Sequence, residues 1–348
     1  MVKSEEVDAV LISGDIYDRA MPSADAVAVA DEIFVDLAAA GANIVAISGN
    51  HDSADRLHFG TRFMASSGLF IRTERRDLTA LGEPIVLSSD TDSVEVVCLP
   101  FLEPNRVELA DDQGERTHEN VLRVALDHQR RLVKDSSKAI VMAHAFVRGG
   151  ESSESERELM TIGGSSEVNH RLFDGFGYVA LGHLHKPDQL GEKGNIVYSG
   201  SPLPYSFSET KEKSVVILDT QTMNTKRIPV GVARQVATIS GELSEILNSP
   251  SHKSAEDKFV RVVLTDNVIQ IGAMERVRER FPHALELTQA ALSSDGTIEA
   301  LVGGKARSVS EEVAAYTEHY FPIEKNPYKH ELANKAVAHA LSNVEANQ

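Results

Sequence analysis

Four short apolar runs, each followed at once by polar residues, constrain the fold of this chain more than any other feature. They are VDAVLISG at 7–14, NIVAIS at 43–48, KAIVMA at 138–143 and YVAL at 178–181. Runs that are apolar at nearly every position are typical of strands covered on both faces, as in parallel sheets. A predicted helix at 23–40, with Ser23 as its N-cap and Gly41 as its stop, connects the first two runs. The sequence therefore predicts a mostly parallel sheet containing a β–α–β unit.

The rest of the chain predicts further strands and a second, smaller unit. Other apolar runs predict strands at 84–88, 94–99, 196–199 and 214–219, and a helix at 118–134. After about residue 230, FVRVVLTD, GAMERVRERFP and HALELTQA predict a strand–helix–strand unit, and SVSEEVAAYTEHYF and ELANKAVAHALSNVEA predict C-terminal helices. The polar stretch at 148–158 predicts a loop. We therefore place a first domain at 1–229, a small α+β capping domain at 230–304 and C-terminal helices at 305–348.

Composition restricts the cellular setting and the partners. No apolar stretch among the 348 residues approaches the ~20 needed to cross a bilayer, and the first residues lack the pattern of a signal peptide. Cys98 is the single cysteine, so no internal disulfide can form, and we expect a cytoplasmic protein with no membrane association. The net charge of -17 argues against unaided DNA binding, which depends on Lys and Arg. It does not exclude a nuclease, because metal ions can hold the reacting phosphate.

Polar side chains collect where the four predicted strands end. In open parallel sheets, functional groups lie beyond the carboxyl ends of the strands. The residues at these ends are Asp15, Asn50, His51, Asp52, His144, His183 and His185. Carboxylate, amide oxygen and imidazole suit divalent ions such as Mn, Fe, Zn or Ni. Gly14, Gly49 and Gly182 precede three of these ends and permit tight turns and close backbone approach.

Each of these motifs also has a simpler interpretation. Gly-Asp after a strand is usually only a turn, GNHD is compatible with a capped turn, and an isolated His144 is more often a core histidine. His-x-His points to opposite faces of a strand, so His183 and His185 converge only if they lie in a loop. The four motifs in this order, each after an apolar run, favour a metal site over these alternatives.

The same motifs carry a resemblance to a known family. GDIYD, GNHDS, His144 and GHLHKP resemble the calcineurin-like metallophosphoesterases, and LPFLEP at 99–104 with YSGSPLPYSF at 198–207 is similar to the SbcD nuclease family. The resemblance covers roughly residues 7–300. It implies an α/β fold, a calcineurin-like β-sandwich flanked by helices, with the capping domain and C-terminal helices added to it.

The resemblance also implies roles for individual residues. It places two divalent ions, of which Mn²⁺ is favoured, on Asp15 as the bridge, on Asn50, His144 and His183 at one ion, and on His185 at the other. His51 would contact the scissile phosphate and assist the leaving oxygen. Asp52 would orient the His51 ring, as carboxylates orient imidazoles elsewhere.

The implied function is a phosphodiesterase that cuts DNA as a 3′–5′ exonuclease and an endonuclease. It would act as a homodimer with an SbcC-type ATPase in DNA repair, recombination and replication, and the helices at 305–348 would be a region for binding this ATPase. The capping domain would contact DNA through Arg261, Arg276, Arg278 and Arg280, unless these arginines only form a solvated helix face. Two alternatives remain: a small-molecule phosphodiesterase or phosphatase, which the capping unit disfavours, and a non-catalytic scaffold for the ATPase.

One part of the family pattern is not found in the sequence. Members begin with a strand that ends in Asp-x-His, before GDxxD, and this chain has no such motif. We interpret the sequence either as a fragment, which we favour, or as a shortened member of the family. The second ion would then keep Asp15 and His185 with water, which leaves the activity of this exact polypeptide open and is the basis of the scaffold alternative.

Overall fold

The computed structural model describes residues 1–89, 92–150, 167–209, 211–290, 313 and 327–345. The chain forms two compact units. The larger contains Met1–Ile239, Ile246–Val262 and Gly272–Leu287, and the smaller contains Ser240–Glu245, Val263–Ile271 and the described residues from 288 onward. Within the part of the chain that is described, no helix is long and apolar enough to cross a membrane.

The secondary structure follows the predicted order. The strands are β1 (Ala9–Ile12), β2 (Asn43–Ile47), β3 (Leu69–Arg72), β4 (Ile85–Ser88), β5 (Ser93–Leu99), β6 (Ile140–His144), β7 (Tyr178–Gly182), β8 (Asp188–Leu190), β9 (Ile196–Tyr198), β10 (Ser214–Leu218), β11 (Thr225–Pro229), β12 (Val236–Gly241), β13 (Phe259–Leu264) and β14 (Ala284–Gln289). The helices are α1 (Ala24–Ala39), α2 (Ala54–Leu57), α3 (Thr61–Ala65), α4 (His118–Arg130), α5 (Leu243–Asn248), α6 (Ala273–Arg280) and α7 (Pro327–Glu345). Short 3₁₀ turns lie at Leu78–Leu81, Ser136–Lys138, His170–Phe173 and Pro250–Ala255.

The four apolar runs that end in polar residues are all strands, but they lie in two sheets. β1, β2 and β3 form a parallel sheet, and the order β4-β5-β6-β7-β9-β8 forms a six-stranded one. In the larger sheet β5, β6, β7 and β9 are parallel, and the edge strands β4 and β8 are antiparallel to their neighbours. The predicted helix between the first two runs is α1, and the Ser23 hydroxyl accepts a hydrogen bond from the Ala26 amide, which confirms the N-cap.

Alternate residues of the central strands pack on opposite faces, which explains why these strands are apolar throughout. Val96 and Cys98 of β5 lie in one core cluster with Val45 of β2 and Met142 of β6, so the two sheets pack face to face. The intervening residues of β5, Val97 and Leu99, lie in a second cluster with apolar residues of α4. Complete burial of such side chains stabilises the fold by about 1.5–3 kcal/mol each. This is the β-sandwich flanked by helices that the resemblance implied.

Cys98 is a core residue, as its position in an apolar run predicted. Its side chain is buried within the cluster between the sheets. Burial raises the pKa of the thiol to about 12, so the thiolate needed for nucleophilic or redox chemistry does not form near neutral pH.

The strand–helix–strand unit predicted after residue 230 is present as β13, α6 and β14. β13 lies between β12 and β14 in a three-stranded sheet. Along β13, Val260, Val262 and Leu264 are buried and alternate with less buried residues. The second predicted C-terminal helix coincides with α7 as far as Glu345, whereas the first lies outside the described residues except for position 313. The predicted loop at 148–158 is also described only in its first three residues.

Two of the four arginines singled out in the capping domain pair with glutamates. The Arg280 guanidinium contacts the Glu256 carboxylate at 3.0 Å and donates to backbone carbonyls at 2.8 Å. The Arg261 guanidinium lies 2.8 Å from the Glu286 carboxylate and 4.8 Å from the ring centre of Phe207. Two of the four predicted DNA-contacting arginines are thus paired with carboxylates, and the contact of the capping domain with DNA stays a prediction.

Candidate metal centre

The ends of four strands bring the predicted ligands together. Asp15 follows β1 by three residues, Asn50 follows β2 by three, His144 is the last residue of β6, and His183 follows β7 directly. Because β1 pairs with β2 and β6 pairs with β7, each in parallel, these ends lie at common edges of the two packed sheets. His144 and His183 are buried, at 3% and 8% exposure.

The donor atoms of these four residues face one another. Asn50 Oδ1 lies 2.8 Å from His144 Nε2 and 3.2 Å from His183 Nδ1. His144 Nε2 lies 3.3 Å from Asp15 Oδ2, and ligand atoms of Asp15, His144 and His183 all lie within 4.8 Å of one another. Donors bound to one ion at about 2.1 Å are separated by about 3 Å, so this spacing suits a single ion.

The hydrogen bonding of His144 shows that these residues fit a cation. His144 Nδ1 lies 2.8 Å from the backbone carbonyl oxygen of Ser13, and this contact requires a proton on Nδ1. In the neutral ring, Nε2 then presents a lone pair to the oxygens of Asn50 and Asp15. Three lone pairs at such distances repel one another unless a proton or a metal ion lies among them, and the mixed N and O donors suit a borderline divalent ion.

Charge at the centre shifts three pKa values. Burial alone would lower the pKa of His144, but the Asp15 carboxylate and the hydrogen bonds to Asp15 and the Ser13 carbonyl raise it. Burial alone would raise the pKa of Asp15, but the charge and hydrogen bond of His144 and the amide of His51 hold it well below its usual range. Burial and the neighbouring His144 lower the pKa of His183 to about 3. The pocket therefore favours one positive charge beside Asp15 and a neutral His183.

Metal binding is expected to release a proton from His144. Because its raised pKa keeps His144 protonated in the metal-free chain at pH 6, Mn²⁺ binding should displace about one proton there. The release should fall toward zero, and the affinity should rise, as the pH increases through the folded-state pKa. His183 adds nothing at pH 6, since its pKa is about 3. Calorimetric titrations with Mn²⁺ in buffers of different ionisation enthalpy measure this number, and equal release at pH 6 and pH 9 would contradict it.

Two of the predicted ligands have strained backbones. Asp15 has φ 51° and His183 has φ 98°, both in the left-handed region that L residues rarely adopt. Such residues cost about 1–3 kcal/mol each and persist where the surrounding structure holds them, most often at functional sites. The positive φ of His183 also ends β7, so its ring is not limited to the alternation of a strand.

The glycines before the strand ends allow the close approach that the sequence predicted. A Cβ on Gly14 would lie 2.2 Å from His144 Nδ1, and one on Gly49 would lie 2.1 Å from Asp15 Oδ1. A Cβ on Gly182 would lie 1.7 Å from the carbonyl oxygen of Ser13. No side chain is compatible with these distances, so each glycine is required for the packing of one loop against another.

Gly182→Ala is expected to destabilise the fold by about 3 kcal/mol, near the upper end for overpacking, because the obstructing atom is backbone and cannot rotate away. Chemical denaturation of the two proteins measures the change. Gly231→Ala is the matched control, since a Cβ there meets nothing within 4 Å. Equal midpoints for Gly182→Ala and the wild type would show that the β1 loop does not press on β7.

His51 is held through both its backbone amide and its ring. Its amide donates to Asp15 Oδ1 at 2.9 Å, and its ring Nδ1 lies 2.7 Å from the backbone carbonyl of Asp18. The expectation that the Asp52 carboxylate contacts and orients the His51 ring is wrong, because the Asp18 carbonyl oxygen is the hydrogen-bond partner of His51 Nδ1. This contact puts the proton on Nδ1 of the neutral ring and leaves Nε2 as the nitrogen that can exchange a proton.

Asp52 instead organises the loops around the centre. Its carboxylate accepts hydrogen bonds from the amides of Ile16 at 3.1 Å, Tyr17 at 3.0 Å and Gly49 at 2.9 Å. Burial, opposed by these amides and reinforced by the charge of Asp15, raises the pKa of Asp52. Asp52 therefore joins the loop after β1 to the loop after β2, and acts on His51 only through the backbone.

His185 lies outside the cluster of Asp15, His144 and His183. Its Nδ1 is 3.6 Å from Glu209 Oε1, and its ring centre is 5.5 Å from that of Tyr205. Sequence reasoning did not identify Glu209 or the Asp18 carbonyl. A signal for the first was present in SETKEK at 208–213, where a glutamate and a lysine are spaced by four residues, but such a pair is usually solvent-exposed.

Comparison with known proteins assigns the family. Residues 1–187 match the model of the calcineurin-like phosphoesterases. The chain is also 31% identical, over 303 residues, to the SbcD component of the SbcCD nuclease of Staphylococcus saprophyticus, an alignment that covers 85% of this chain and 78% of that protein. The chain belongs to the SbcD family of calcineurin-like phosphoesterases.

Membership of the SbcD family confirms the predicted fold class and the predicted type of enzyme, a phosphodiesterase of the nuclease branch. The calcineurin-like fold implies divalent metal ions, and the cluster described above can hold one. Residues 232–314 match a second model, described as the type 5 capsule protein repressor C-terminal domain. This match overlaps the predicted capping domain, whose boundaries stay a prediction.

Proposed function

We propose that this chain is the nuclease subunit of an SbcCD-type complex, an Mn²⁺-dependent phosphodiesterase that cuts DNA as a 3′–5′ exonuclease and an endonuclease. It would act with an SbcC-type ATPase in DNA repair, recombination and replication. The observation that carries the proposal is the convergence of the Asp15, Asn50, His144 and His183 donors at the ends of four strands in an SbcD-family chain.

The residues at the centre have separate tasks. Asp15, Asn50, His144 and His183 would hold one divalent ion, and Asp15 with His185 would hold a second. Bound ions would supply Lewis-acid neutralisation of the phosphate and a water of lowered pKa. His51, whose Nδ1 is fixed on the Asp18 carbonyl, would carry a proton on Nε2 and deliver it to the leaving 3′-oxygen.

The donor set supports Mn²⁺ over Mg²⁺. Mg²⁺ prefers an octahedron of oxygens, whereas His144 and His183 contribute nitrogens, which suit later divalent ions.

A small Mn²⁺ site of this kind holds only the reacting phosphate. With a net charge of -17, the chain alone is expected to bind DNA weakly and to lose this binding steeply with salt. The ATPase would supply the missing positive surface.

Exposed apolar side chains support a homodimer. No residue of α1 is buried, although this helix carries Val27, Val29, Ile33 and Val35 with exposures from 44% to 59%. Phe59 and Phe63, beside and within α3, are more than 80% exposed. Apolar surface of this extent is typical of protein interfaces, and a second copy of the chain would cover it.

DNA hydrolysis tests the proposal. We expect cleavage of end-labelled linear duplex DNA with Mn²⁺ and the SbcC-type ATPase, and no cleavage by His183→Ala under the same conditions. Faster hydrolysis of bis-(p-nitrophenyl) phosphate than of any DNA would favour the small-molecule alternative. Mn²⁺ binding without hydrolysis of either substrate would favour the scaffold alternative.

A pull-down tests the partner. The full chain and a chain truncated after residue 305 are compared for capture of the ATPase, and we expect capture only by the full chain. Equal capture by both would contradict a binding region in the C-terminal helices.

A further inference from the structure

A buried ion pair lies beside His185. Glu209 and Lys213 are only 3% and 4% exposed, and the Lys213 ammonium contacts the Glu209 carboxylate directly. Removing two charges from water is costly before their attraction is counted, and apolar residues of similar volume would often stabilise such a position equally well. A buried pair of this kind therefore calls for an explanation other than stability.

The Glu209 carboxylate contacts the ring of His185 and the loop beside it. Its Oε1 lies 3.6 Å from His185 Nδ1 and accepts a hydrogen bond from the Tyr205 amide at 3.1 Å. Its Oε2 accepts from the Ser201 hydroxyl at 3.4 Å. One carboxylate thus fixes the segment that packs on His185 and also places its negative charge opposite one ring nitrogen.

Lys213 holds the backbone of the same histidine. Its Nζ donates to the His185 carbonyl oxygen at 2.9 Å and to Ser201 Oγ at 2.8 Å. The Ser201 amide also donates to the His185 carbonyl, at 3.1 Å. The ring and the main chain of His185 are therefore both held by groups of one ion pair.

The placement of the carboxylate favours one tautomer of the His185 ring. A negative charge facing Nδ1 favours the proton on that nitrogen and leaves the lone pair on Nε2. Carboxylates that face the far nitrogen of a metal-binding imidazole fix the orientation of its ring. Glu209 stands in this relation to His185.

We propose that Glu209, itself held by Lys213, is the positioning residue that orients His185 as a ligand of the second divalent ion. The proposal rests on the assignment of His185 to that ion under the proposed function. It adds a carboxylate and a lysine from the segment after GSPLPYSF to the machinery of the centre, through His185 rather than through contact with substrate.

Calorimetric titration of the metal-free full chain with Mn²⁺ tests this role without an activity measurement. Glu209→Gln is expected to weaken the second, weaker binding event by about 10–100-fold, the usual effect of removing such a partner, and to leave the first within about twofold. Glu212→Gln is the matched control, an exposed glutamate on the same segment. His185→Ala should abolish the weaker event.

The outcomes separate the two proposals. If His185→Ala abolishes the weaker event and Glu209→Gln leaves it unchanged, Glu209 has no positioning role and the two-ion assignment stands. If His185→Ala leaves the weaker event intact, His185 is not a ligand and both assignments fail. Should Glu209→Gln not fold, the double variant Glu209→Gln/Lys213→Met removes both charges and leaves none unpaired, and it is expected to show the same loss.

Discussion

Asp15→Asn is expected to reduce Mn²⁺ affinity and phosphodiester hydrolysis by about 10³-fold or more. Asp15 supplies the carboxylate that lies 3.3 Å from His144 Nε2 and anchors the His51 amide at 2.9 Å. A loss of about 4 kcal/mol of ion stabilisation corresponds to about 10³-fold in binding or rate. The variant also removes the main group that raises the pKa of His144, so its metal-free His144 should titrate at lower pH.

Three measurements check the Asp15→Asn result. Calorimetry gives Mn²⁺ affinity, hydrolysis of bis-(p-nitrophenyl) phosphate gives the rate, and NMR titration gives the pKa of His144. Asp25→Asn, an exposed residue in the first turn of α1, is the matched control. Mn²⁺ affinity within tenfold of the wild type would exclude Asp15 as a ligand of the ion assigned to Asn50, His144 and His183.

His51→Ala is expected to lower turnover by about 10²–10⁴ while leaving Mn²⁺ affinity within about twofold. This range is the usual contribution of a positioned acid–base group. The reason for separating rate from affinity is geometric. The His51 hydrogen bond to Asp15 comes from the backbone amide, which alanine retains, and the His51 ring is held by the Asp18 carbonyl.

Single-turnover rates and Mn²⁺ titrations, both on the full chain, distinguish these roles. His128→Ala on α4 controls for the loss of an imidazole elsewhere in the fold. If His51→Ala loses the metal together with the rate, the ring is a ligand and its assignment to proton transfer is wrong.

The candidate metal centre could be located from the sequence because its residues directly follow apolar runs that have the pattern of buried strands. Apolar runs that are covered on both faces had to be strands, and residues at their carboxyl ends had to meet at the edge of a sheet. Asp15, Asn50, His144 and His183 follow such runs, and the structure brings them together. The clashing Cβ positions at Gly14, Gly49 and Gly182 follow from the same crowding.

The group that holds His51 could not be read from residue types. The sequence offered Asp52, the adjacent carboxylate, but the ring meets a backbone carbonyl, which every residue possesses and which leaves no signature. Asp52 instead accepts hydrogen bonds from three backbone amides, which come within reach of its carboxylate only when the loops after β1 and β2 fold against each other. The choice between these partners depends on loop geometry and not on spacing along the chain.

The family, the order of the strands and the four residues that converge at the candidate metal centre could be predicted from the chain alone, because each is encoded by local pattern and residue chemistry. Which charges are buried, and which groups they face, follows only from the packing of the folded chain. Glu209 and Lys213 resemble a solvated pair in the sequence, yet they are buried against His185, and Arg261 and Arg280 pair with Glu286 and Glu256, partners that the sequence does not indicate. Burial depends on how segments that are distant in the chain pack together. The role of each charged side chain therefore depends on that packing as well.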